Sequence, residues 1–529
     1  MPETNSSPHI HTNTSTKADT LAASVISSSN PQEIYDVVIV GAGPIGLATA
    51  IGLRKRGIEN ILVIDQTRAF RQVGQTLDLL PNGLQALKHL DPNAYEEVKK
   101  TGLGLFNVQQ SNDQKTVQST QGQQPPKTSP QWVYKDLQGQ IIRSISLSFD
   151  DWFKDYGEGR VSISWYNLQT ALRQLLPQDR VKANHRCINV VNEPEKGCVR
   201  IDCVSDTRIE ANPYAYWTDG QKDNDMQPQN LDIAPQELAT KSIRAKLVVA
   251  ADGINSTVRR LLYTDSQYHD FARPEYSGFA AILCREIADI PKELRTKLED
   301  LFEDSPVITI TNEEKAGNSV CINNIRIILF RRPTGELGYI IHLALPLDSL
   351  QGKSGSSLID LALQELEKAG FPDALKQLVR ISPPANMQQR PYYVHPATTS
   401  DSLQVSNPTD LNTETDPAKI PPAWSVGRIV LVGDAAHGMP PFMAQGANQG
   451  FEDALIITTL IAKIAEDNNW DDLQTIAKAF EKYECLRRPL IAYVQQATLK
   501  RSPHSSDKEW QEYGQQVYRR NFDQVIKAL

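Results

Sequence analysis

Continuous apolar runs of four or five residues recur along the chain: Val37–Val40, Ile61–Ile64, Leu247–Ala251 and Ile429–Val432. Runs this short, with no polar alternation, predict strands buried on both faces, as in a parallel sheet. Helical spacing fills the gap between the first two. Pro44 suits a first helical turn, the helix is expected to reach about Arg56, and Gly57 stops it. Residues 35–65 therefore read as a strand–helix–strand unit. The stretch SWYNLQTALRQLLP predicts an amphipathic helix closed by Pro177, and AKLVVAADGINSTVRRLL a strand, a turn and a helix. WVYKDLQGQIIRSISLSF alternates about a central Gln-Gly and predicts a hairpin.

From about Phe271 to Pro346 the pattern is strand-rich, with a hairpin expected to turn at Pro333-Thr334-Gly335. Helical patterns follow from Ser357 to Leu378, then the strand GRIVLV, a helix carrying Phe451, Ala454, Leu455, Ile461 and Ala462 on one side, and a long helix from TIAKAFEKY to ATLKR. Strand-rich sequence between α/β pieces predicts one α/β domain assembled from separated segments, a β-rich insert, and a C-terminal helical region. The expected boundaries are 34–104, 160–265 and 388–497 for the α/β domain, and 105–159 and 266–387 for the insert. Residues 498–529 form a helical extension. Polar insertions are expected at 109–131 and 205–237, the latter within the α/β domain, and the Ser/Thr/Asn-rich residues 1–33 read as a disordered tail.

Composition narrows the function. A net charge of −8 argues against a nucleic-acid or anionic-membrane footprint. No apolar run reaches the length of a membrane span, and the first 33 residues lack the charge and apolar pattern of a secretory leader, so a cytoplasmic protein is expected. The six cysteines form no C-x-x-C pair and have no histidine at zinc spacing; free thiols and no metal site are expected. Gly352-Lys353-Ser354 ends like a phosphate-binding P-loop, but the required first glycine is Leu347.

The chemistry sits at the strand ends. Gly41, Gly43 and Gly46 form a G-x-G-x-x-G frame between strand and helix. The first glycine permits the turn, the second lets backbone approach a pyrophosphate, and the third lets helix and strand pack closely. Asp65 ends the next strand, where a carboxylate accepts hydrogen bonds from an adenosine ribose. The frame is Rossmann-like and serves NAD and FAD alike. Asp252-Gly253 comes after another strand, where Gly253 allows a sharp turn and Asp252 can cap the next helix. Gly433-Asp434 ends the last strand and points a carboxylate into the crevice where α/β proteins bind ligands. Two prolines and the small-residue run Gln445, Gly446, Ala447 and Asn448 come next, ahead of a helix whose first N–H groups can face an electron-rich edge.

In order and wording these stretches resemble the single-component FAD-dependent aromatic hydroxylases, of the 4-hydroxybenzoate and salicylate hydroxylase type. VVIVGAGPIGLATAIGLRKRG is similar to the family's FAD unit, VVAADGINSTVRR to its Asp-Gly motif, and IVLVGDAAHGMPPFMAQGANQGFEDA to its Gly-Asp motif. RQVGQTLDLLPNGLQAL and YECLRRP also fit, and the resemblance covers about Glu33 to Ala497 outside the two insertions.

It implies non-covalent FAD, with Gly41, Gly43 and Gly46 at the pyrophosphate, Asp65 at the ribose, and Arg71 near the phosphates. Asp252 and Gly253 would serve the pyrophosphate region and the nicotinamide coenzyme. Gly433 and Asp434 would hold the ribityl chain, with Gln445 to Asn448 along the pyrimidine side of the ring. It further implies NAD(P)H as co-substrate, dioxygen, and hydroxylation (or epoxidation) of a small, aromatic-type substrate through a flavin C4a-hydroperoxide. Many members carry Arg or Gln just before the helix that begins here near Asn167; the matching residue is Trp165, where stacking would replace a charge-assisted contact. Tyr166, His342, Tyr392 and His395 are polar candidates, and no general base can be named among them. A reductase or epoxidase of a prenyl or polyene substrate, and a non-catalytic FAD-binding protein, remain open alternatives. A halogenase does not, because no two of the seven tryptophans have its Trp-x-Trp spacing.

Overall fold

A computed structural model describes residues 34–67, 75–113, 129–206, 238–312, 325–332, 335–398, 421–500 and 505–529. The expected tail and most of both expected insertions therefore lie outside the described residues, as do Arg71 and the Pro333-Thr334 turn.

In chain order, β1 (Ile34–Val40), α1 (Pro44–Lys55) and β2 (Ile61–Ile64) realise the first unit. They are followed by β3 (Thr76–Leu79), α2 (Pro81–Leu90) and α3 (Pro92–Asp113). Then come β4 (Gln131–Lys135), β5 (Ile141–Ser146), α4 (Phe149–Tyr156), β6 (Val161–Ser164) and α5 (Trp165–Arg173). The strands β7 (Val181–Lys182), β8 (Arg186–Glu193), β9 (Cys198–Asp206) and β10 (Leu238–Ala250) lead to α6 (Thr257–Tyr263). Next are β11 (Glu275–Ile287), α7 (Lys292–Phe302), β12 (Val307–Thr311), β13 (Arg326–Arg331) and β14 (Leu337–Ala344). The helices α8 (Ser356–Lys368) and α9 (Asp373–Arg380) precede β15 (Met387–Val394), β16 (Ser425–Val426) and β17 (Ile429–Leu431). The chain closes with α10 (Asp434–His437), α11 (Gly446–Glu466), α12 (Leu473–Lys500), α13 (Asp507–Tyr513) and α14 (Phe522–Ala528).

The apolar runs form the centre of the first sheet, in the order β17-β10-β1-β2-β7, all parallel. Their residues are almost completely buried, which is why the runs show no alternation. The chain leaves β1 toward β2 on one side, while β10 lies on the other. The crevice beyond the carboxyl ends of β1 and β10 is thus the topological switch point, where such sheets bind ligands. Backbone bonds lock the ends together: Ala251 N donates to Val40 O at 2.8 Å, and Val432 N to Ala250 O at 2.9 Å.

The second sheet has the order β15-β11-β14-β13-β12-β4-β5. Its only parallel pair among the described strands, β12 with β4, joins residues 131–146 to residues 275–394. One face packs on α7, α8 and α9 through Leu298, Phe302, Leu358 and Leu378. The other turns toward the first sheet's crevice.

Several details depart from the sequence expectations. The strand-rich stretch contains α7, started by Pro291 and burying Leu294, Leu298 and Phe302 at helical spacing. The single helical region at 357–378 is two helices, broken at Gly370, whose φ is +72°, and Pro372. The expected boundary at 104/105 falls inside α3, and residues 388–394 pair with β11 in the second sheet.

Candidate functional site

A cavity of about 950 Å³ lies between the two sheets. Gly41, Gly43, Asp65, Asp252, Gly253, Asp434, Gly446 and Ala447 all line it, although just over 400 residues of sequence separate the first from the last. Gly46, Gly433, Gln445 and Asn448 stand behind its wall.

The three glycines of the first frame have three separate reasons. Gly41 has φ +107°, and a Cβ there would sit 2.4 Å from Ala251 O. A Cβ on Gly46 would sit 1.9 Å from Gly41 O, so α1 can approach its own loop only without a side chain. Gly43 differs: its φ is −69°, which any residue adopts, and a Cβ would meet nothing within 4 Å. The protein leaves space at that one position, directly at the N-terminus of α1, where free N–H groups favour an anion. Asp65 accepts from Ala42 N and Thr67 N, both at 2.7 Å, and so pins this loop while its edge faces the cavity.

Asp252 is committed locally. It accepts from Ser256 Oγ at 2.5 Å and from the N–H groups of Thr257 and Val258, capping α6. Burial raises its pKa, opposed by these same bonds. Asp434 is placed otherwise. Gly433 before it has φ +58° and ψ −141°, a region essentially restricted to glycine, and this turns the Asp434 side chain into the cavity. No described side chain or N–H bonds its carboxylate. The carboxylate is open to the cavity yet lies deep in the molecule, and that depth, reinforced by Asp453 and countered by His437, pushes its pKa upward.

Behind Gly433 stands a buried network that sequence spacing does not reveal. Asp453 accepts from Gly433 N at 2.8 Å, lies 2.6 Å from His437 Nε2, and accepts from Arg487 Nε at 2.7 Å. Arg487 also donates to Glu452 at 2.6 Å. Burial by itself would raise Asp453, but His437 and Arg487 outweigh it and hold the carboxyl at about 2. Arg259 plays the matching part between motifs. It donates to Ala435 O and Ala436 O at 3.1 and 3.0 Å and so ties α6 to α10.

The small-residue run divides by face. Gln445 and Asn448 turn inward. Asn82 Nδ2 donates to Gln445 Oε1, while Asn448 accepts from Leu80 N at 2.9 Å through Oδ1 and donates to Asp78 O at 3.0 Å through Nδ2, fastening β3 and the start of α2 to α11. Gly446 and Ala447 face the cavity, preceded by Ala444 at φ +53°, a strained value for a non-glycine residue. Trp165 lines the cavity at the start of α5. One turn later Gln169 donates from Nε2 to Ala42 O at 2.6 Å, a support for the glycine loop that no sequence pattern marks. Of the polar candidates, His342 and Tyr392 line the cavity, their rings 5.8 Å apart. Tyr166 and His395 do not. His395 is buried against Ile254 O, and burial, then Arg259, lowers its pKa to about 3.

The doubly wound sheet, the open glycine cradle and the unpaired strand-end carboxylate, facing a second sheet, define a flavoprotein of two-sheet architecture. A family model described as an FAD binding domain matches residues 34–133 and 388–485. The 3-amino-4-hydroxybenzoate 2-monooxygenase of Streptomyces cremeus is 24% identical over 460 residues, spanning 87% of this chain and 84% of that protein. A salicylate hydroxylase solved with its substrate superposes with a TM-score of 0.57 at 16% identity, covering 93% of this chain and 97% of that one. Klebsiella pneumoniae HpxO, solved with FAD and uric acid, gives a TM-score of 0.51 at 17% identity over 93% and 95%. The chain carries this FAD binding domain and is similar along most of its length to FAD-dependent monooxygenases of the aromatic hydroxylase type; it is an FAD-dependent oxidoreductase. No helix of the described residues is long and apolar enough to cross a membrane.

Proposed function

We propose that this enzyme uses NAD(P)H and dioxygen to hydroxylate a small anionic aromatic compound. The observation that carries the substrate class is the second sheet's face of the cavity. It presents Arg143, Arg285, Arg326, Arg332 and Arg390, and no carboxylate from that sheet is among the described lining residues. Asp507 and Glu286 lie 3.8 and 3.6 Å from Arg143 and Arg332, and the excess of positive charge that this face still carries raises the local concentration of anions, while guanidinium groups match carboxylate or phenolate oxygens.

FAD fits the residues present. The Gly43 space and the α1 N-terminus would hold the pyrophosphate, Asp65 a ribose hydroxyl, and Asp434 the ribityl hydroxyls. Gly446 and Ala447 would offer backbone to the ring's polar edge. Bound and reduced at the expense of NAD(P)H, FAD would supply dioxygen activation, one oxygen atom going into the product and the other leaving as water. The chain's own contribution is to hold substrate beside the ring and keep water out. Phe442, in ring contact with His342 at 5.2 Å and Tyr392 at 5.5 Å, closes the wall between the Gly-Asp loop and the second sheet. No second dinucleotide frame is apparent in the sequence, so the nicotinamide coenzyme would bind transiently against the FAD domain.

The test is oxygen uptake and NAD(P)H consumption by the purified flavoprotein, with and without hydroxylated benzoates. Stimulation of both, with hydroxylated product, is expected. NAD(P)H consumption with no oxygen incorporated into any compound of the panel would refute hydroxylation and favour a reductase.

A further inference from the structure

The C-terminal extension, expected from sequence to lie outside the FAD-binding part, reaches the cavity. Trp510 of α13 and Tyr518 of the following π-helical turn both line it. Tyr518 is buried, with its ring 5.3 Å from Trp152 and 5.1 Å from Tyr156 of α4, both at steep angles. A separate core cluster joins Trp152, Val494, Tyr513, Val517 and Tyr518, and Met439, Met443 and Ala444 of the Gly-Asp loop pack against it. The extension is therefore built onto the loop that would border the flavin ring. Its other edge is fastened to the second sheet. Arg143 of β5 donates to Ser505 O, and its guanidinium lies 5.2 Å from the Trp510 ring. Across β4 from Arg143 is Tyr134, whose ring stacks with Trp132 at 5.5 Å and 19°. Trp132, Tyr134 and Trp152 line the same cavity.

Five large rings from three separate parts of the chain thus converge on one end of the cavity. Flat apolar faces of this kind stack on flat ligands, and each added ring of the ligand adds contact area at little entropic cost. We propose that the segment Ser505–Tyr518 is a wall of the substrate chamber, and that Trp510 and Tyr518, with Trp132 and Tyr134, select a substrate of several fused aromatic rings. This rests on the proposed function for the identity of the chamber and deepens its substrate class.

The experiment is calorimetric binding to the full chain, with a three-ring probe, 4,5-dihydroxyanthraquinone-2-carboxylate, and a one-ring probe, 4-hydroxybenzoate. The parent is expected to bind the three-ring probe more tightly. Trp510→Ala should weaken that binding by about tenfold and Trp510→Phe should recover part of it. Affinity for 4-hydroxybenzoate and for FAD should stay at the parent value. Trp510 is only partly buried, so its variants should spare the core; melting curves of each variant check this, and Tyr518→Leu provides a second site. Tighter binding of the one-ring probe, or three-ring affinity unchanged in both Trp510→Ala and Tyr518→Leu, overturns the proposal. Heats of binding do not need turnover. Selective three-ring binding without NAD(P)H oxidation would uphold the chamber and sink the monooxygenase reading. Turnover of one-ring compounds, together with three-ring binding that is indifferent to residues 510 and 518, would do the reverse.

Discussion

At the scale of single residues, the glycine frame separates roles that its spacing alone merges. Gly46 is required by the fold, since a Cβ would overlap Gly41 O. Gly43 is required by nothing in the protein. Gly43→Val should therefore leave melting of the FAD-free protein near the parent value and abolish FAD binding. Gly46→Ala should lower that melting temperature as well. Titration followed by flavin fluorescence, with thermal melts of both apo variants, checks the pair; an apo-stable Gly43→Val that binds FAD normally would remove the loop from the site. Asp434 makes a second case. Its ionised form is disfavoured by depth, so Asp434→Asn should not destabilise the apo protein. It should weaken FAD by about 10–150-fold, the range of a charged hydrogen bond worth about 1.5–3 kcal/mol. A parent-like dissociation constant in the folded variant would show that the carboxylate does not contact the cofactor.

At the scale of elements, β1-α1-β2 was legible because buried parallel strands leave unbroken apolar runs and Pro44 and Gly57 mark the helix ends. The order of strands in the second sheet was not legible. The pairing of β4 with β12 joins residues about 175 positions apart, and no local pattern encodes such a partner. For the same reason Asp434 was apparent as a strand-end carboxylate, while the supports behind it were not. Arg487 lies in YECLRRP, a stretch the resemblance marks without giving it a role, and its role comes from meeting Glu452 and Asp453, both without solvent contact. Arg487→Leu would remove the cation shared by two buried carboxylates, leaving Asp453 to His437 and Glu452 to Arg520 at 3.3 Å, and should cost about 3–5 kcal/mol in denaturant unfolding. A loss under about 1 kcal/mol would mean the network is dispensable. His395 joins the end of β15 to the Asp-Gly loop and predicts a pH dependence. Its folded pKa, about 3, lies below the ordinary value near 6.5, so between these the unfolded chain binds the extra proton. Stability from this residue is fully present above about pH 6.5 and falls as the pH drops toward 3. His395→Gln, which keeps a donor for Ile254 O, should flatten the decline between about pH 6.5 and 5, above the range where most carboxylates titrate; an unchanged slope would assign the decline to other groups.

At the scale of the whole molecule, the cavity is the place where the parts meet. The first sheet supplies the cradle and the strand-end carboxylates, the second sheet the basic wall, and the C-terminal segment the aromatic end. The sheets hold separate apolar clusters, so the cofactor would be a shared contact between bodies that each have a core of their own. A ligand bound only by the assembled form stabilises it by mass action, by about 2.7 kcal/mol at a hundredfold excess over its dissociation constant. The protein as purified should be yellow, and acid precipitation should release all flavin into the supernatant, as the resemblance to non-covalent FAD enzymes implies. Added FAD should raise the melting temperature by several degrees in proportion to the logarithm of its concentration. FMN, which lacks the adenosine half and so cannot reach Asp65 and the Gly43 space together with Asp434, should raise it far less. Equal stabilisation by FMN and FAD would mean that the glycine cradle at the end of β1 contributes nothing to holding the cofactor, and the reading of the crevice as a site spanning all three strand ends would fall.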